Sequence, residues 1–148
     1  MSSTNLKKLT KGLTASSFDL LHAGHIQMLE DAKGECDYLI CALQTDPSVD
    51  RPEKNKPIQS LYERYIQLRA VRWVDDIIPY TTEEELLQLT EIIHPDVRII
   101  GEEYKEKDFT GKDYCQKNGI NIYYNRRQHA LSTSDLRKRV AVGQKLDK

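Results

Sequence analysis

Ser16-Ser17-Phe18-Asp19-Leu20-Leu21-His22-Ala23-Gly24-His25 is the stretch from which we infer the fold. A segment that fits a buried strand, residues 11–15, precedes it, and apolar residues at helical spacing follow it from Ile26. His22 and His25 therefore fall at a strand-to-helix junction, where free backbone N–H groups and the helix dipole favour an anion. Gly24 lets a ligand approach the backbone closely. Two imidazoles at such a turn can donate hydrogen bonds to charge that builds on phosphoryl oxygens.

The composition is that of a globular domain. The length of 148 residues favours one domain over 1–148, with an ordered core over about 10–141. The net charge of −1 argues against a nucleic-acid-binding protein, because such domains are usually clearly basic. No apolar run approaches the length of a membrane span, and the amino-terminal segment lacks the apolar stretch of a signal peptide. We therefore expect a cytoplasmic protein that does not insert into membranes.

The cysteines predict neither a metal cage nor a disulfide framework. Cys36, Cys41 and Cys115 are odd in number, and none of them forms a Cys-x-x-Cys pair. We expect free thiols, as in a reducing compartment.

The rest of the chain alternates predicted strands with predicted helices. Nearly continuous or short apolar runs predict strands over 38–43, 77–80, 97–101 and 120–124. Helices are predicted from Ser60, which forms a capping box with Glu63, and over 82–93, 113–117 and 135–140, with a frayed tail from Gly143. Five strands alternating with helices predict an α/β fold, a Rossmann-like parallel sheet in three layers.

A polar loop over 48–57 carries Arg51, Lys54 and Lys56. It follows the carboxyl end of a predicted strand, which is where ligands bind in open α/β sheets. Charge clusters of this kind are usually solvated, so a phosphate contact by Lys54 or Lys56 and a plain solvated loop remain alternatives. His94 is interpreted as a helix-end residue.

The His-x-Gly-His pattern behind Phe-Asp-Leu-Leu resembles the signature of the cytidylyltransferase-like nucleotidyltransferases. Two surface histidines on a helix cap are the alternative. The resemblance implies that His22 and His25 are catalytic and hydrogen-bond the α-phosphate and the bridging oxygen. It implies nucleotide contacts by Ser16, Ser17, Phe18, Asp19 and Gly24. Ser16 stands where that family usually has glycine, and we expect it to be tolerated because the backbone there keeps a negative φ, while Ser17 can donate to a phosphate.

A second group of candidate ligands lies near the carboxyl terminus. Arg127 followed by Ser132-Thr133-Ser134 at a helix start brings a guanidinium together with hydroxyl and N–H donors, which suits a triphosphate, although Ser132 also fits a plain N-cap. The pattern resembles the family motif Arg-x-x-x-[Ile/Leu]-Ser-Thr-[Thr/Ser]. By that resemblance Arg127 is catalytic, and it holds the leaving pyrophosphate with Ser132 and Thr133.

Two further segments are similar to glycerol-3-phosphate cytidylyltransferases in particular. Arg64 after Tyr62-Glu63 and Arg72 before Val74-Asp75 match arginines of that family, so both are candidate substrate-binding residues. Arg72 is expected to bind substrate or nucleotide phosphates, and Arg64 to support the site. Surface salt-bridge arginines are the alternative. Gly101-Glu102-Glu103-Tyr104 falls where that family has Gly-Asp-Asp-Trp, which contacts the base and ribose of the nucleotide.

The resemblance implies transfer of CMP from CTP to an alcohol phosphate, glycerol 3-phosphate first, with release of pyrophosphate. It implies Mg²⁺ held mainly by the nucleotide, with no metal site of protein ligands, and Asp19 positioning either that ion or the loop. It also implies a homodimer. The alternatives are an adenylyltransferase acting on a sugar 1-phosphate of the heptose type or on FMN, and a non-catalytic nucleotide-binding module. A tRNA synthetase fragment is disfavoured, since no Lys-Met-Ser-Lys-Ser motif occurs.

Overall fold

A computed structural model describes residues 8–126 and 133–146. Its sheet has five strands, and every neighbouring pair is parallel, in the order β3-β2-β1-β4-β5. The strands are β1 (Lys11–Ser16), β2 (Tyr38–Gln44), β3 (Asp76–Tyr80), β4 (Val97–Gly101) and β5 (Asn121–Asn125). The predicted Rossmann-like parallel sheet is thus confirmed, with strand ends within one residue of those expected.

Five α-helices and one short 3-10 helix connect the strands of the described chain. They are α1 (Ala23–Lys33), α2 (Leu61–Arg69), α3 (Glu83–Ile93), the 3-10 helix (Glu102–Tyr104), α4 (Lys112–Lys117) and α5 (Thr133–Leu146). The predicted capping box of Ser60 and Glu63 is present, and His94 ends α3 in a left-handed conformation, as a helix-end residue. The expectation of a frayed tail from Gly143 is wrong for 143–146. One glycine costs a helix only about 1 kcal/mol, and helix-forming residues surround this one.

The sheet is buried on both faces, which explains the continuous apolar runs of its central strands. One core lies between the sheet and the helices α1 and α2, and it contains Phe18, Leu29, Leu39, Leu68 and Ile99. The other core lies beneath α3 and contains Leu13, Ile40, Ala42, Tyr80 and Leu86. Burying a side chain of this size stabilises the fold by about 1.5–3 kcal/mol, so the two cores fix the three layers. Cys36, Cys41 and Cys115 are all free, as expected.

The strand order creates a crevice above the middle of the sheet. The chain runs from β1 outward to β2 and β3, and then returns to place β4 on the other side of β1. In open α/β sheets, ligands bind outside the carboxyl ends of the strands where the order reverses in this way. The loops that follow β1 and β4 carry the histidine stretch and the segment from Gly101, so both predicted motifs meet at this point. Among the described residues, no helix combines the length and the apolar character that a membrane crossing requires.

Candidate active site

Two histidines cap the first turn of α1 and fix each other's position. His22 is the N-cap residue, with an extended backbone, and its Nδ1 accepts a hydrogen bond from the amide of Gly24 at 3.0 Å. The Nδ1 of His25 accepts from the amide of His22 at 3.2 Å, and the two ring centroids are 4.2 Å apart. In each neutral ring the proton must then sit on Nε2, because Nδ1 is an acceptor. Of the backbone amides at this junction, that of Gly24 is therefore already bonded to His22.

Burial favours the uncharged form of both imidazoles. Desolvation lowers the pKa of His25 to about 4; the neighbouring His22 lowers it further, and Asp19 opposes the shift. Desolvation also lowers the pKa of His22 below its usual value. The Nε2 of His22 lies 3.3 Å from the hydroxyl of Thr133, the first residue of α5. At neutral pH the neutral form of both rings, with the proton on Nε2, is therefore favoured over two cations.

The turn between β1 and α1 is strained and tightly anchored. Phe18 and Leu20 have φ values of 49° and 52°, and each such residue costs about 1–3 kcal/mol. The Oγ of Ser16 accepts from the amide of Phe18 at 3.2 Å, and the side chain of Gln59 accepts from the amide of Leu20 at 2.8 Å. Ser16 itself has no positive φ, so serine in place of glycine is accommodated as the sequence predicted.

Phe18 lies in the core rather than in the cleft. Its side chain is 1% exposed, and its ring packs against His25 with the centroids 5.9 Å apart. The side chain of Phe18 thus supports His25 from the core and does not line the cleft, and a nucleotide contact by Phe18 stays a prediction.

Asp19 joins three separate segments of the chain. Its carboxylate accepts hydrogen bonds from the amides of Ile58 and Gln59, at 2.8 and 3.0 Å, and forms an ion pair with Arg137 of α5 at 3.2 Å. Of the two roles expected for Asp19, positioning a metal ion or the loop, the structure places it on the loop. Arg137 was missed by sequence reasoning because it is 118 positions away and belongs to no motif.

Arg64 is a buried structural residue. It is 2% exposed, and its guanidinium donates to four backbone carbonyls, those of Ser17, Gln44, Thr45 and Gln59, at 2.6–3.1 Å. The expected placement of Arg64 among substrate-binding residues needs correction. Because its N–H groups bind backbone carbonyls in the loops after β1 and β2, Arg64 acts on the site only by holding those loops in place.

Arg72 lies away from the carboxyl ends of the strands. It is exposed, stacks over the ring of Trp73 with its guanidinium carbon 4.7 Å from the centroid, and precedes β3 in the chain. Residues that precede a parallel strand lie at its amino end, and the cleft is at the other end. Within this single chain, the structure therefore does not bring Arg72 to the expected phosphate site.

One cleft of about 980 Å³ runs along the carboxyl edge of the sheet. Nine of the predicted site residues line it: Ser16, Ser17, His22, Gly24, His25, Lys54, Gly101, Glu103 and Thr133. Seven predicted residues do not line it: Phe18, Asp19, Lys56, Arg64, Arg72, Glu102 and Ser134. The predictions for Arg127 and Ser132 lie outside the described residues.

Several residues that line the cleft belong to no motif that predicted them as site residues. They include Arg51, Tyr80, Arg98, Phe109, Asn125 and Arg126. Two of them could have been predicted from their position in the chain. Tyr80 and Asn125 are the last residues of β3 and β5, so they lie at the edge of the sheet where ligands bind. A Cβ at Gly101 would meet the carboxylate of Glu103, so the flexible side chain of Glu103 would have to move.

The described residues do not assemble a metal centre. Over 8–126 and 133–146 no group of three or more His, Cys, Asp or Glu side chains could hold an ion. Asp19, the acid nearest in sequence to the histidines, already binds two amides and an arginine. A resident Mg²⁺ held by protein carboxylates therefore does not fit the residues present, whereas an ion carried by a nucleotide needs no such cluster.

Comparison with known families decides the classification. The profile of the family described as cytidylyltransferase-like matches residues 13–139, which is most of the chain and includes both the histidine stretch and the start of α5. The chain belongs to the cytidylyltransferase-like family. Glycerol-3-phosphate cytidylyltransferase from Bacillus subtilis (strain 168) is 32% identical over 133 residues, covering 90% of this chain and 98% of the Bacillus protein.

Other relatives in the family are much longer than this chain. The bifunctional protein HldE of Granulibacter bethesdensis is 37% identical over 112 residues, which is 75% of this chain but only 23% of HldE. This chain spans about a quarter of the length of the HldE relatives it matches.

A solved structure supports the fold of this family member. The lipopolysaccharide core biosynthesis protein from Thermoplasma volcanium matches with a TM-score of 0.64 at 23% identity, over 83% of this chain and 99% of that protein. At that identity the likeness concerns the fold.

Proposed function

We propose that this protein is a cytidylyltransferase that transfers CMP from CTP to an alcohol phosphate, with glycerol 3-phosphate as the first candidate. The products are a CDP-alcohol and pyrophosphate. The observation that carries the proposal is the pair of uncharged histidines, His22 and His25, whose Nδ1 atoms are both occupied by backbone amides. Each neutral ring then carries its proton on Nε2, and both residues line the cleft at the switch point of the sheet, where the Nε2 of His22 lies 3.3 Å from the hydroxyl of Thr133.

The chemistry follows from that donor pair. An oxygen of the acceptor phosphate attacks the α-phosphorus of the nucleotide in line, and the bond to the bridging oxygen breaks with its electron pair leaving on pyrophosphate. Such a reaction needs positioning and charge stabilisation more than acid–base chemistry. Neutral donors at His22 and His25 suit the charge that develops on the α-phosphate and the bridging oxygen, because they are fixed before the reaction begins.

Different residues are the candidates for binding the phosphate end and the base end of the nucleotide. Thr133 contacts His22 at 3.3 Å and begins α5, so the amino end of that helix lies beside the histidines, where phosphate oxygens are favoured. Arg127 and Ser132 remain predicted pyrophosphate ligands on the strength of the motif. Gly101 and Glu103 line the cleft after β4 and are the candidates for base and ribose contacts.

The predicted loop offers one lysine to the acceptor side. Lys54 and Lys56 are both exposed, but only Lys54 lines the cleft, so Lys54 is the better candidate for orienting the acceptor phosphate. Mg²⁺ enters this proposal as part of the substrate, bound by the triphosphate. A homodimer stays a prediction from the family resemblance, and sedimentation velocity would test it.

The choice of CTP and an alcohol phosphate rests on the extent of one match. The Bacillus glycerol-3-phosphate cytidylyltransferase is covered almost end to end by this chain, whereas HldE is covered over a quarter. The motifs also resemble adenylyltransferases that act on a sugar 1-phosphate, and the base contacts after β4 depart from the pattern expected for CTP. Adenylyl transfer is therefore the second candidate.

The test is pyrophosphate release with Mg²⁺, with CTP, ATP, GTP and UTP each crossed against alcohol and sugar phosphates that include glycerol 3-phosphate. Release with CTP and an alcohol phosphate supports the proposal. Release with ATP and a sugar phosphate or FMN replaces it with the second candidate. Nucleotide binding without release for every acceptor tested would count against catalysis and favour a nucleotide-binding module.

A further inference from the structure

A buried arginine that belongs to none of the predicted motifs lies in the wall of the cleft. Arg98, the second residue of β4, is 3% exposed and lines the cleft. It lies on the α3 side of the sheet, because it pairs in register with Leu13 of the α3-side core and its guanidinium lies near Thr90 of α3. His22 and His25 follow the neighbouring strand β1, so Arg98 and the histidines face one continuous space.

The hydrogen-bonding capacity of Arg98 is almost unused in the described chain. One terminal nitrogen donates to the carbonyl of Thr110, and at 3.4 Å this is a long hydrogen bond. The Nε–H is buried without a partner, and no described carboxylate forms an ion pair with the guanidinium. Arg64 is a useful contrast, since it is equally buried but donates to four carbonyls. A buried guanidinium in a folded protein is normally paired or fully hydrogen-bonded.

The neighbours of Arg98 leave room for an anion rather than supplying one. Phe109 covers the guanidinium, whose carbon is 5.4 Å from the ring centroid. Tyr80 lines the same space, and burial raises the pKa of its phenol, so its hydroxyl remains a donor. Glu83 is the nearby acid, and Arg51 engages it at 2.9 Å. The Nε of Arg51 is also buried without a partner. The Nε–H groups of Arg98 and Arg51 are thus both buried without a hydrogen-bond partner among the described residues.

Keeping such a residue is costly for folding. Desolvation disfavours the charged guanidinium and lowers the pKa of Arg98, yet arginine does not lose its proton in proteins. Replacing a buried, poorly paired charge with an apolar side chain is often neutral or stabilising. If Arg98 were purely structural, replacing it with an apolar side chain would lower the free energy of unfolding, as we expect for Arg64. The cost is accounted for if a bound oxyanion completes the site.

We propose that Arg98, assisted by the hydroxyl of Tyr80, binds a second oxyanion of the acceptor, at the end remote from the phosphate that reacts. The substrate class is then a phosphorylated alcohol or sugar that also carries a carboxylate or a second phosphate. Guanidinium matches both oxyanions through parallel N–H donors. This inference rests on the proposed function for the reacting phosphate, and it predicts that a doubly anionic acceptor is used better than its singly anionic counterpart.

The experiment compares matched acceptors that differ only at the far end. The carboxylate pairs are 3-phosphoglycerate with glycerol 3-phosphate, 4-phosphoerythronate with erythritol 4-phosphate, and 6-phosphogluconate with glucitol 6-phosphate. Glucose 1,6-bisphosphate with glucose 1-phosphate tests the phosphate source. Pyrophosphate release is measured with each nucleotide for the wild type, R98M, R98K and the control R69M. Arg69 is an exposed arginine that stacks on Tyr65, outside the cleft.

We expect at least one pair to show a higher kcat/KM for the doubly anionic member in the wild type and in R69M. R98M should lose that preference by about tenfold to a hundredfold, since a hydrogen bond to a charged group contributes about 1.5–3 kcal/mol. The singly anionic member of the pair should change little, and R98K should recover part of the preference. No preference in any pair, or a preference that survives in R98M, would overturn the inference.

Thermal unfolding separates this inference from the proposed function. The same acceptors, without nucleotide, should raise the Tm of the wild type and of R69M more for the anionic member, and R98M should lose that difference. R98M alone should melt at or above the wild-type temperature. If no acceptor supports turnover but the Arg98-dependent Tm shift is present, the proposed function fails and the anion site stands. If R98M melts well below the wild type and no anion-dependent shift is seen, Arg98 is structural and the inference is wrong.

Discussion

The Nδ1 of His25 accepts a hydrogen bond from the backbone amide of His22 at 3.2 Å. His22 in turn uses its own Nδ1 to accept from Gly24. Neither ring can therefore act as a base through Nδ1, and each presents one Nε2–H donor while it is neutral. The cap of α1 thus sets the tautomer of both histidines before any substrate arrives. This relationship makes hydrogen-bond donation, rather than proton abstraction, the chemistry open to the pair.

The first prediction concerns the titration of His25. Its pKa of about 4 is below the unfolded value near 6.5, so the folded state favours the neutral ring. The resulting stabilisation is complete above pH 6.5 and is lost as the pH falls from 6.5 towards 4, by roughly 3 kcal/mol in all. Imidazole nitrogen NMR should show His25 protonated on Nε2 alone at pH 6, and H25Q should flatten this part of the stability profile. A measured pKa at or above 6.5 would contradict the burial argument.

A second prediction concerns Asp19. D19A removes the acceptor for two backbone amides and for Arg137, and it should lower the free energy of unfolding by about 2–4 kcal/mol, because buried donors left without partners cost about 1–3 kcal/mol each. R137M removes only the ion pair and should cost about 1 kcal/mol or less. Urea unfolding of the two variants measures both effects. Equal losses would show that the two amides contribute nothing.

A third prediction separates Arg64 and Arg72, which the family resemblance places together among the candidate substrate-binding residues but in different roles. R64M leaves four carbonyls without their donor and should destabilise the protein by at least about 3 kcal/mol. R72M removes an exposed side chain stacked on Trp73 and should cost less than about 1 kcal/mol. Thermal and urea unfolding measure the difference. If R72M instead raises the KM for a phosphate substrate at unchanged Tm, then Arg72 reaches a site that one chain alone does not form.

The fold was predictable because its signals are local. Continuous apolar runs indicated the buried strands, and Ser60 with Glu63 indicated a helix start by side-chain-to-backbone hydrogen bonds within three residues. The position of His22 and His25 at a strand-to-helix junction followed from the same reasoning. The end of α5 was missed, because Gly143 was interpreted as a stop although the helix continues through it.

The parts of the site that could not be predicted depend on contacts distant in sequence. Arg64 reaches the carbonyl of Ser17 across 47 positions, and Asp19 reaches Arg137 across 118. No local pattern distinguishes a guanidinium that binds a ligand from one that binds backbone carbonyls. Arg98 stands alone in an apolar strand, where a single charged residue suggests a solvated position. Only the packing of α3 and of residues 109–110 around it shows that it is buried.

The central claim is that His25 donates a hydrogen bond to the phosphoryl group in the transition state. The most direct test is the single-turnover rate of H25A with the nucleotide and acceptor that support pyrophosphate release in the wild type. H94A is the matched control, since His94 ends α3 and contacts Tyr114. We predict that H25A lowers the rate by roughly 10²–10³, as the loss of one oxyanion donor does, with little change in nucleotide affinity, and that H94A keeps the wild-type rate. An H25A rate equal to that of the wild type would contradict the account.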